Sequence, residues 1–267
     1  MRTCVLLCCF LLPGVASAQS EDPFDHRFSI TAAAFWPNLD TTIKADGNGG
    51  RIGTSVDMES ELGLKDRDTL FAGSATWNIA RRHSLDLLYF ELSRNGSRSV
   101  DRDIEFRDQT FPVSSAIHSL FETDVLRLSY GYAFIADDRQ RLLGQFGVHY
   151  TKVTAGLDRE GGSIRAEADT DVPLPVLGIA YERRLGEHFA FDVRAQIFRL
   201  EFEGIDGALD NAAINFYWAP ARHVSMFVGY NYYKMDVDAE EDNWHGSFEF
   251  GYEGPWAGVL VGFGSIK

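Results

Sequence analysis

Residues 125–134, VLRLSYGYAF, alternate between large apolar side chains at even positions and smaller or polar side chains at odd positions. A period of two is the repeat of a β-strand, because successive side chains point to opposite faces of a sheet. Residues 191–197, 212–218 and 224–232 show the same alternation. The pattern therefore predicts a chain built of β-strands about ten residues long, each with one apolar face.

Three features of these segments favour a transmembrane barrel over a secreted β-sandwich, whose strands also alternate. The polar faces carry small residues and isolated charges, which suits a narrow interior. The apolar faces end in Tyr, Trp or Phe, as they do at membrane interfaces, and short connections alternate with long ones. The predicted turns are 79–83, 136–141, 184–188 and 219–223, and the predicted loops are 38–68, 94–122, 153–171 and 235–243, with a tighter one at 203–207.

The end of the chain decides the number of strands. Eleven segments qualify, but single-chain bacterial barrels have an even number. The last two, 244–252 and 256–264, flank Glu253-Gly254-Pro255, and the apolar positions change there from even to odd numbers. We interpret this change as a β-bulge inside one long strand, since a bulge inserts one residue. The prediction is an all-β fold, an antiparallel up-and-down transmembrane β-barrel of about ten strands (eight to twelve). Twelve would need a further strand near 39–57.

The N-terminus predicts export. Arg2 precedes an apolar run at 4–12, and Ala16-Ser17-Ala18 follows as a small-residue cleavage motif. This order is typical of a secretory signal peptide, so we expect residues 1–18 to be the signal peptide and residues 19–267 to be the barrel. All three cysteines lie in the removed segment, and the mature chain therefore has no disulfide. The expected location is the bacterial outer membrane.

Composition excludes several classes of protein. The chain has 25 Lys and Arg against 39 Asp and Glu, a net charge of −14, so a nucleic acid is not an expected partner. Its mean hydropathy of −0.16 is too polar for a bundle of transmembrane helices. The sequence has no glycine-rich phosphate loop, HExxH motif or Cys/His cluster, so we predict no cofactor and no firm metal site.

These segments resemble the small outer-membrane barrels of Gram-negative bacteria, the OmpA/OmpW-like class. The resemblance is carried by Leu62-Gly63-Leu64, the strand–turn–strand unit at 80–91, the run Gly229-Tyr230-Asn231-Tyr232-Tyr233 and the aromatic end at Phe263. It implies a porin-like or structural membrane protein whose partners are outer-membrane lipid, lipopolysaccharide and the barrel-assembly machinery. That machinery usually recognises an aromatic last residue, whereas here residues 264–267 follow Phe263.

Along each strand, polar residues alternate with the aromatic residues that face lipid. These polar residues are predicted to form a network inside the barrel. A barrel of this size is close to the limit at which side chains fill the interior. The interior is either filled, with arginines neutralising nearby carboxylates, or a narrow polar channel for small solutes or ions that favours cations. The predicted network comprises Asp86, Arg127, His149, Glu182, Asp192, Arg194, Glu249 and Glu253.

Two loops carry candidate binding sites. Carboxylates are the ligands that hard divalent cations prefer, and one acidic loop offers several of them. Arginine recognises phosphate, so an arginine-rich loop is a candidate contact for lipopolysaccharide. The cation set is Asp236, Asp238, Glu240 and Asp242, and the arginine set is Arg94, Arg98, Arg102 and Arg107.

The pair His245-x-Ser247 suggests an alternative function. A histidine can activate a serine nucleophile beside an acid, and a similar pair occurs in outer-membrane lipid A-modifying hydrolases. The residue after Ser247 is Phe248, where those enzymes usually have Asn, and the predicted parity places both residues in the interior. We therefore expect no enzymatic activity. The expected function is an integral barrel with a structural, loop-binding or narrow-channel role.

Overall fold

The fold is taken from a computed structural model, which describes residues 23–47, 52–162, 164–202, 205–241 and 244–266. The predicted signal peptide and its cysteines lie outside these residues. These described residues form fourteen strands: β1 (His26–Phe35), β2 (Asn38–Ala45), β3 (Val56–Asp57), β4 (Leu70–Ala80), β5 (His83–Ser99), β6 (Ile104–Phe106), β7 (Gln109–Phe111), β8 (Ala116–Ala136), β9 (Gln140–Arg159), β10 (Arg165–Arg184), β11 (Phe189–Phe202), β12 (Ile205–Ala221), β13 (Val224–Glu241) and β14 (Trp244–Ser265).

Ten of these strands form a closed antiparallel ring. The order around it is β1-β4-β5-β8-β9-β10-β11-β12-β13-β14, and β14 pairs back with β1. Closure removes the unpaired edges that an open sheet would expose. The predicted up-and-down barrel of ten strands is therefore confirmed. Among the described residues, no helix is long and apolar enough to cross a membrane.

The last strand is continuous, and the predicted bulge within it is wrong. β14 keeps one register with β13 along its whole length. On its other side it pairs first with β1 and then with β2, which are two halves of one strand broken at Trp36-Pro37. The register does not shift across the break. Gly254 permits the close approach, because a Cβ there would lie 2.5 Å from the Trp36 carbonyl oxygen.

Several strands are longer than the alternation predicted. β8 begins at Ala116, β9 and β10 leave only 160–164 between them, and β13 runs to Glu241. Much of the predicted loops at 94–122, 153–171 and 235–243 is therefore barrel wall. The 38–68 connection contains β2 and β3, and β2 extends the wall without adding an eleventh strand to the ring.

The outward face of β8 changes from apolar to charged partway along the strand. Even-numbered residues from Leu126 to Phe134 are exposed and apolar, whereas Asp124 and Glu122 lie on the same face but further from the short turns. Positions further from the short turns are called upper, and those nearer to them lower. On β13 the same change occurs between Tyr232 and Lys234. The exposed apolar residues form one band around the turn end of the barrel, as in proteins that span a bilayer with strands. We call it the apolar band.

The inward face changes in the opposite sense at the same level. On β8 the buried residue is Arg127 beside the apolar band and Val125 immediately above it. On β13 Asn231 is followed by Tyr233 in the same way. The interior is thus polar within the band and apolar above it, where water surrounds the wall.

A large apolar core fills the barrel above the band. Inward residues of most strands meet there with buried residues of the connections at 58–64 and 104–111. Phe248, Phe250 and Tyr252 belong to this core, although the sequence pattern had placed them outside. Their parity matches that of Leu260, which is buried lower on the same strand. Along β14 the large apolar residues change from the inward face to the outward face, because the outside of the wall changes from water to lipid. No residue is inserted.

The wall has a gap above β4. β4 begins at Leu70, whereas the neighbouring β5 continues to Ser99, so beyond Phe90 the ladder joins β5 to β8 alone. Residues 58–69 cover most of the gap from inside. Gly96 packs on the backbone of Gly63, where a Cβ would approach within 2.8 Å.

Arg94 of β5 joins the two sides of this gap. Its guanidinium donates hydrogen bonds to the Glu59 carboxylate and the Thr41 hydroxyl, and to the Lys65 carbonyl oxygen at 3.1 Å. The other Glu59 carboxylate oxygen accepts the Thr41 N–H at 2.9 Å. The arginine is only 3% exposed, so the ion pair is buried. This contact connects β5, β2 and the segment that covers the gap.

We expect Arg94→Met to lower the free energy of unfolding by about 3–5 kcal/mol, because it leaves the Glu59 carboxylate buried without its cation. Adding Glu59→Gln should restore much of the loss. Urea unfolding in detergent micelles measures both variants. Arg98→Met, at an exposed position on the same strand, is the control and should change stability by less than about 0.5 kcal/mol. Equal losses for Arg94→Met and Arg98→Met would contradict the structural role of the ion pair.

Arginine in place of Leu128 or Val228 is expected to impair assembly, because an arginine near the bilayer midplane costs about 2–4 kcal/mol. Asp238→Arg places the same side chain on the same face of β13 above the apolar band and should assemble normally. Heat-modifiable gel migration and protease resistance in membranes measure assembly. Normal assembly of both Leu128→Arg and Val228→Arg would show that the band does not face lipid.

Candidate functional site

The lower interior holds one hydrogen-bonded network centred on Asp192 of β11. Its carboxylate accepts hydrogen bonds from the Tyr217 hydroxyl at 2.7 Å and from the Asn215 amide at 3.1 and 3.2 Å. Arg194 Nε lies 3.6 Å from the same carboxylate. Asp192 is buried, so this set of partners offsets the cost of removing its charge from water.

A second group lies toward the turn end. Arg141 Nε is 3.4 Å from the Glu182 carboxylate, and both Arg141 Nη atoms donate to Asn78 Oδ1 at 3.2 Å. Asp86 accepts a hydrogen bond from the Thr76 hydroxyl at 2.8 Å. Cross-strand neighbours position these groups, because Glu182 lies directly opposite Arg141 and Asp86 directly opposite Thr76 in the ladders.

Arg127 and His149 occupy the top of the polar region. Arg127 donates to Asn211 Oδ1 at 3.2 Å, and His149 Nε2 lies 3.0 Å from Gln196 Oε1. The His149 ring stacks on Tyr233 at a centroid distance of 5.9 Å, and Tyr233 stacks on Tyr252 at 4.7 Å. This stack separates the polar region from the apolar core above it.

The space inside the polar region is small. Its cavity has a volume of about 80 Å³ and is lined by Asp86, Arg127, Arg141, Glu182 and Arg194, among others. Such a volume holds a few water molecules. Pro23 and Phe24 line its lower end, where the Phe24 ring packs edge-on against Tyr217 at 5.3 Å. The arrangement can hold water and fix the strand register.

The structure brings six of the eight predicted network residues into the interior: Asp86, Arg127, His149, Glu182, Asp192 and Arg194. Glu249 and Glu253 do not join them. Both are exposed on the outer face of β14, since the even-numbered residues of that strand face inward throughout. The prediction took the aromatic residues Phe248, Phe250 and Tyr252 as outward-facing, which reversed the two faces of this part of the strand.

The arginine set does not form one exposed patch. Arg94 is buried in the gap contact described above, so it is not available to lipopolysaccharide. Arg102 pairs with the Glu61 carboxylate at 2.7 Å, and Arg107 is half-buried. Arg98 is exposed. The four arginines lie close together in the sequence, but the covering segment brings Glu59 and Glu61 against two of them.

The side chains of two of the four acidic candidates are described, and they lie on the outer wall of β13. Asp236 and Asp238 face outward, whereas the side chain of Glu240 and residue Asp242 lie outside the described residues. Lys234 Nζ is 3.5 Å from Asp236. The Asp236 carboxylate, together with Glu249, raises the pKa of Lys234. This part of the wall is therefore an ion-paired surface above the apolar band.

Ser247 is also in the wall rather than the interior. It lies opposite Asp238 on β13 and Lys44 on β2, on the outward parity of β14. The His245 side chain lies outside the described residues. The interior position predicted for this pair is therefore wrong for Ser247, for the same reason as for Glu249.

Sequence reasoning missed the contacts made by the 38–68 connection. Asp40, Asp57 and Glu59 each bring one carboxylate oxygen within 4.8 Å of the others. No local sequence motif predicts this group, because Asp40 belongs to β2 and Glu59 belongs to the segment that covers the gap. The pairing of Glu59 with Arg94, 35 positions away, depends equally on the fold.

No protein-family model and no curated protein matches the sequence. The structure is similar to that of the outer-membrane protease OmpT from Escherichia coli, at 12% identity and a TM-score of 0.60, covering 91% of this chain and 100% of OmpT. The transport unit of the autotransporter AIDA-I from Escherichia coli matches at 10% identity and a TM-score of 0.43, covering 95% and 94% of the two chains. OprG from Pseudomonas aeruginosa matches at 15% identity and a TM-score of 0.35, covering 93% and 100%. The chain has the fold of the Gram-negative outer-membrane β-barrels.

Proposed function

We propose that this chain is a closed, non-enzymatic barrel of the bacterial outer membrane that anchors an acidic β-wall at the cell surface. The observation that carries the proposal is that two different kinds of packing fill the interior along its length. The apolar band supplies the contact with outer-membrane lipid, and the strands continue well beyond it.

The lower obstruction is the polar network. Arg127, Asp192 and Gln196 are buried within it, and the remaining cavity admits only a few waters. Opening a passage here would require buried hydrogen-bonded groups to separate. Each buried polar group left without a partner costs about 1–3 kcal/mol, so the network favours a closed interior over a wet pore.

The upper obstruction is the apolar core. Phe121 packs against Phe248 and Phe250 at centroid distances of 6.0 and 5.6 Å, in the middle of the barrel. Leu62 and Phe106 from the connections are fully buried against the same cluster. Water and ions have no favourable path through such a core. The narrow-channel alternative would therefore require both obstructions to open.

The position of Ser247 disfavours the hydrolase alternative. On β14 the apolar outward residues begin below Glu253, six positions further along the strand. At about 3.3 Å per residue, Ser247 lies roughly 20 Å along the strand from Glu253, on the side away from the apolar band and the acyl chains of lipid A. Arg98, which is exposed above the band, is the member of the arginine set we propose for contact with lipopolysaccharide phosphate.

Planar-bilayer recording combined with thermal unfolding tests this function. The wild-type protein should show no stable conductance steps. Arg194→Ala should lower thermal stability, because it leaves Asp192 without its cation at a cost of about 3–5 kcal/mol, and it should open no channel because the apolar core remains.

Arg199→Ala is the matched control. Arg199 lies on the same strand and pairs with Asp210 at 2.7 Å, but on the exposed face. Surface pairs are worth about 0–1 kcal/mol, so its loss should change stability little. Stable cation-selective openings of the wild-type protein, or an Arg194→Ala variant with unchanged stability and altered selectivity, would overturn the closed-barrel proposal.

A further inference from the structure

We propose that the gap in the wall above β4 is a docking site for an extended, basic peptide, which adds to β5 as an extra strand. This inference rests on the proposed function, since it assigns a partner to the wall that the closed barrel presents. Three observations carry it: an unpaired strand edge, an open groove with an exposed aromatic ring, and a set of carboxylates without a cation among them.

The edge belongs to β5 between Glu91 and Asn95. Beyond Phe90 the β4 ladder has ended, and among the described residues no backbone hydrogen bond joins these positions to the segment at 58–69. Every second residue of such an edge directs its N–H and C=O away from β8. These groups are the ones an incoming strand uses when it extends a sheet.

The groove beside this edge has a volume of about 520 Å³. Its lower wall is the start of β4, where Phe71 is 75% exposed. Its back is Thr123, which is 2% exposed and whose hydroxyl has no hydrogen-bond partner. Thr123 belongs to the buried, inward face of β8, so it closes the groove on the inner side.

The charge of the groove favours a basic peptide. Asp68, Glu91, Glu122 and Asp124 line it, and no lysine or arginine does. Glu91 lies directly opposite Asp124 in the β5–β8 ladder, an arrangement that destabilises a sheet in the absence of a cation. Lys152, opposite Asp124 on β9, is the nearest cation by register. A strand with alternating basic side chains would bring positive charge beside Glu91 and Glu122, whose directly opposite partners in the ladders carry none.

A second copy of this chain does not fit the same site. Its own free edge carries the same carboxylates, so pairing of two β5 edges would bring acidic residues together, and the net charge of −14 opposes the approach. A divalent cation would use the carboxylates but neither the strand edge nor Phe71. An extended basic peptide uses all three features.

The probe is a fluorescein-labelled octapeptide of alternating lysine and valine, titrated against the purified full-length protein in a zwitterionic detergent. We expect saturable binding by fluorescence anisotropy. Glu122→Gln combined with Asp124→Asn should weaken binding by roughly tenfold, equivalent to about 1.4 kcal/mol. Phe71→Ala should weaken it severalfold. Unchanged heat-modifiable migration shows that these variants are folded.

Two controls separate strand addition from general attraction of charge. Asp236→Asn combined with Glu249→Gln removes another directly opposite acidic pair, on strands that are paired on both sides, and should leave binding unchanged. The same octapeptide N-methylated at every backbone nitrogen keeps its charge but has no backbone N–H to donate to the ladder, and it should not bind. Equal binding of the methylated peptide, or equal weakening by the control pair, would overturn the inference.

Failure of this inference is distinguishable from failure of the proposed function. A barrel that is silent in bilayers and does not bind the octapeptide would remove the docking site alone. A barrel that conducts but binds the octapeptide with the expected variant effects would overturn closure and leave the docking site in place.

Discussion

The boundary between lipid and water crosses the long strands of this barrel, and the rest of the structure depends on it. Below the boundary the outward residues contact hydrocarbon and must be apolar. Above it the same face of the same strand contacts water. On β8 the change occurs between Leu126 and Asp124, and on β13 between Tyr232 and Lys234. A strand of about twenty residues therefore has two environments although its backbone geometry is constant.

The interior follows from this constraint. Within the apolar band, lipid accepts the apolar side chains, and the interior is left to polar groups that satisfy one another, such as Asp192 with Tyr217. Above the band, water surrounds the wall, and the apolar residues turn inward as they do in a soluble protein. The stack of His149, Tyr233 and Tyr252 lies where the two regimes meet. One chain thus combines a polar membrane interior with an apolar core.

The same constraint explains what the sequence could and could not predict. Alternation in 125–134 and 224–232 predicted the strands, their outward faces and the antiparallel barrel, because those segments lie within the band. Extrapolating the aromatic parity to Phe248 and Phe250 was wrong, since these residues lie above the band. That error also misplaced Glu249 and Glu253 and suggested a bulge. A change of apolar parity along a long strand marks either an inserted residue or a change of surroundings, and periodicity alone does not distinguish them.

The contacts across the gap were beyond sequence reasoning for a different reason. Arg94 meets Glu59 and Thr41 only because β4 is shorter than β5 and the 58–69 segment fills the space. The lengths of neighbouring strands are a property of the whole wall, and no local motif encodes them.

The gap leaves a free edge on β5 above the closed ring, and natural β-proteins protect such edges with charge. Here the protection is entirely acidic at the edge itself, with Glu91 beside Asp124 and Glu122. Like charges keep two copies of the chain from pairing through their β5 edges. Lys152 faces Asp124 from β9, but no lysine or arginine lines the groove itself. Mixed charges there would have stabilised the wall better and protected the edge as well, so the acidic lining is not explained by protection alone. The same carboxylates that exclude another copy leave the edge accessible to a strand of opposite charge.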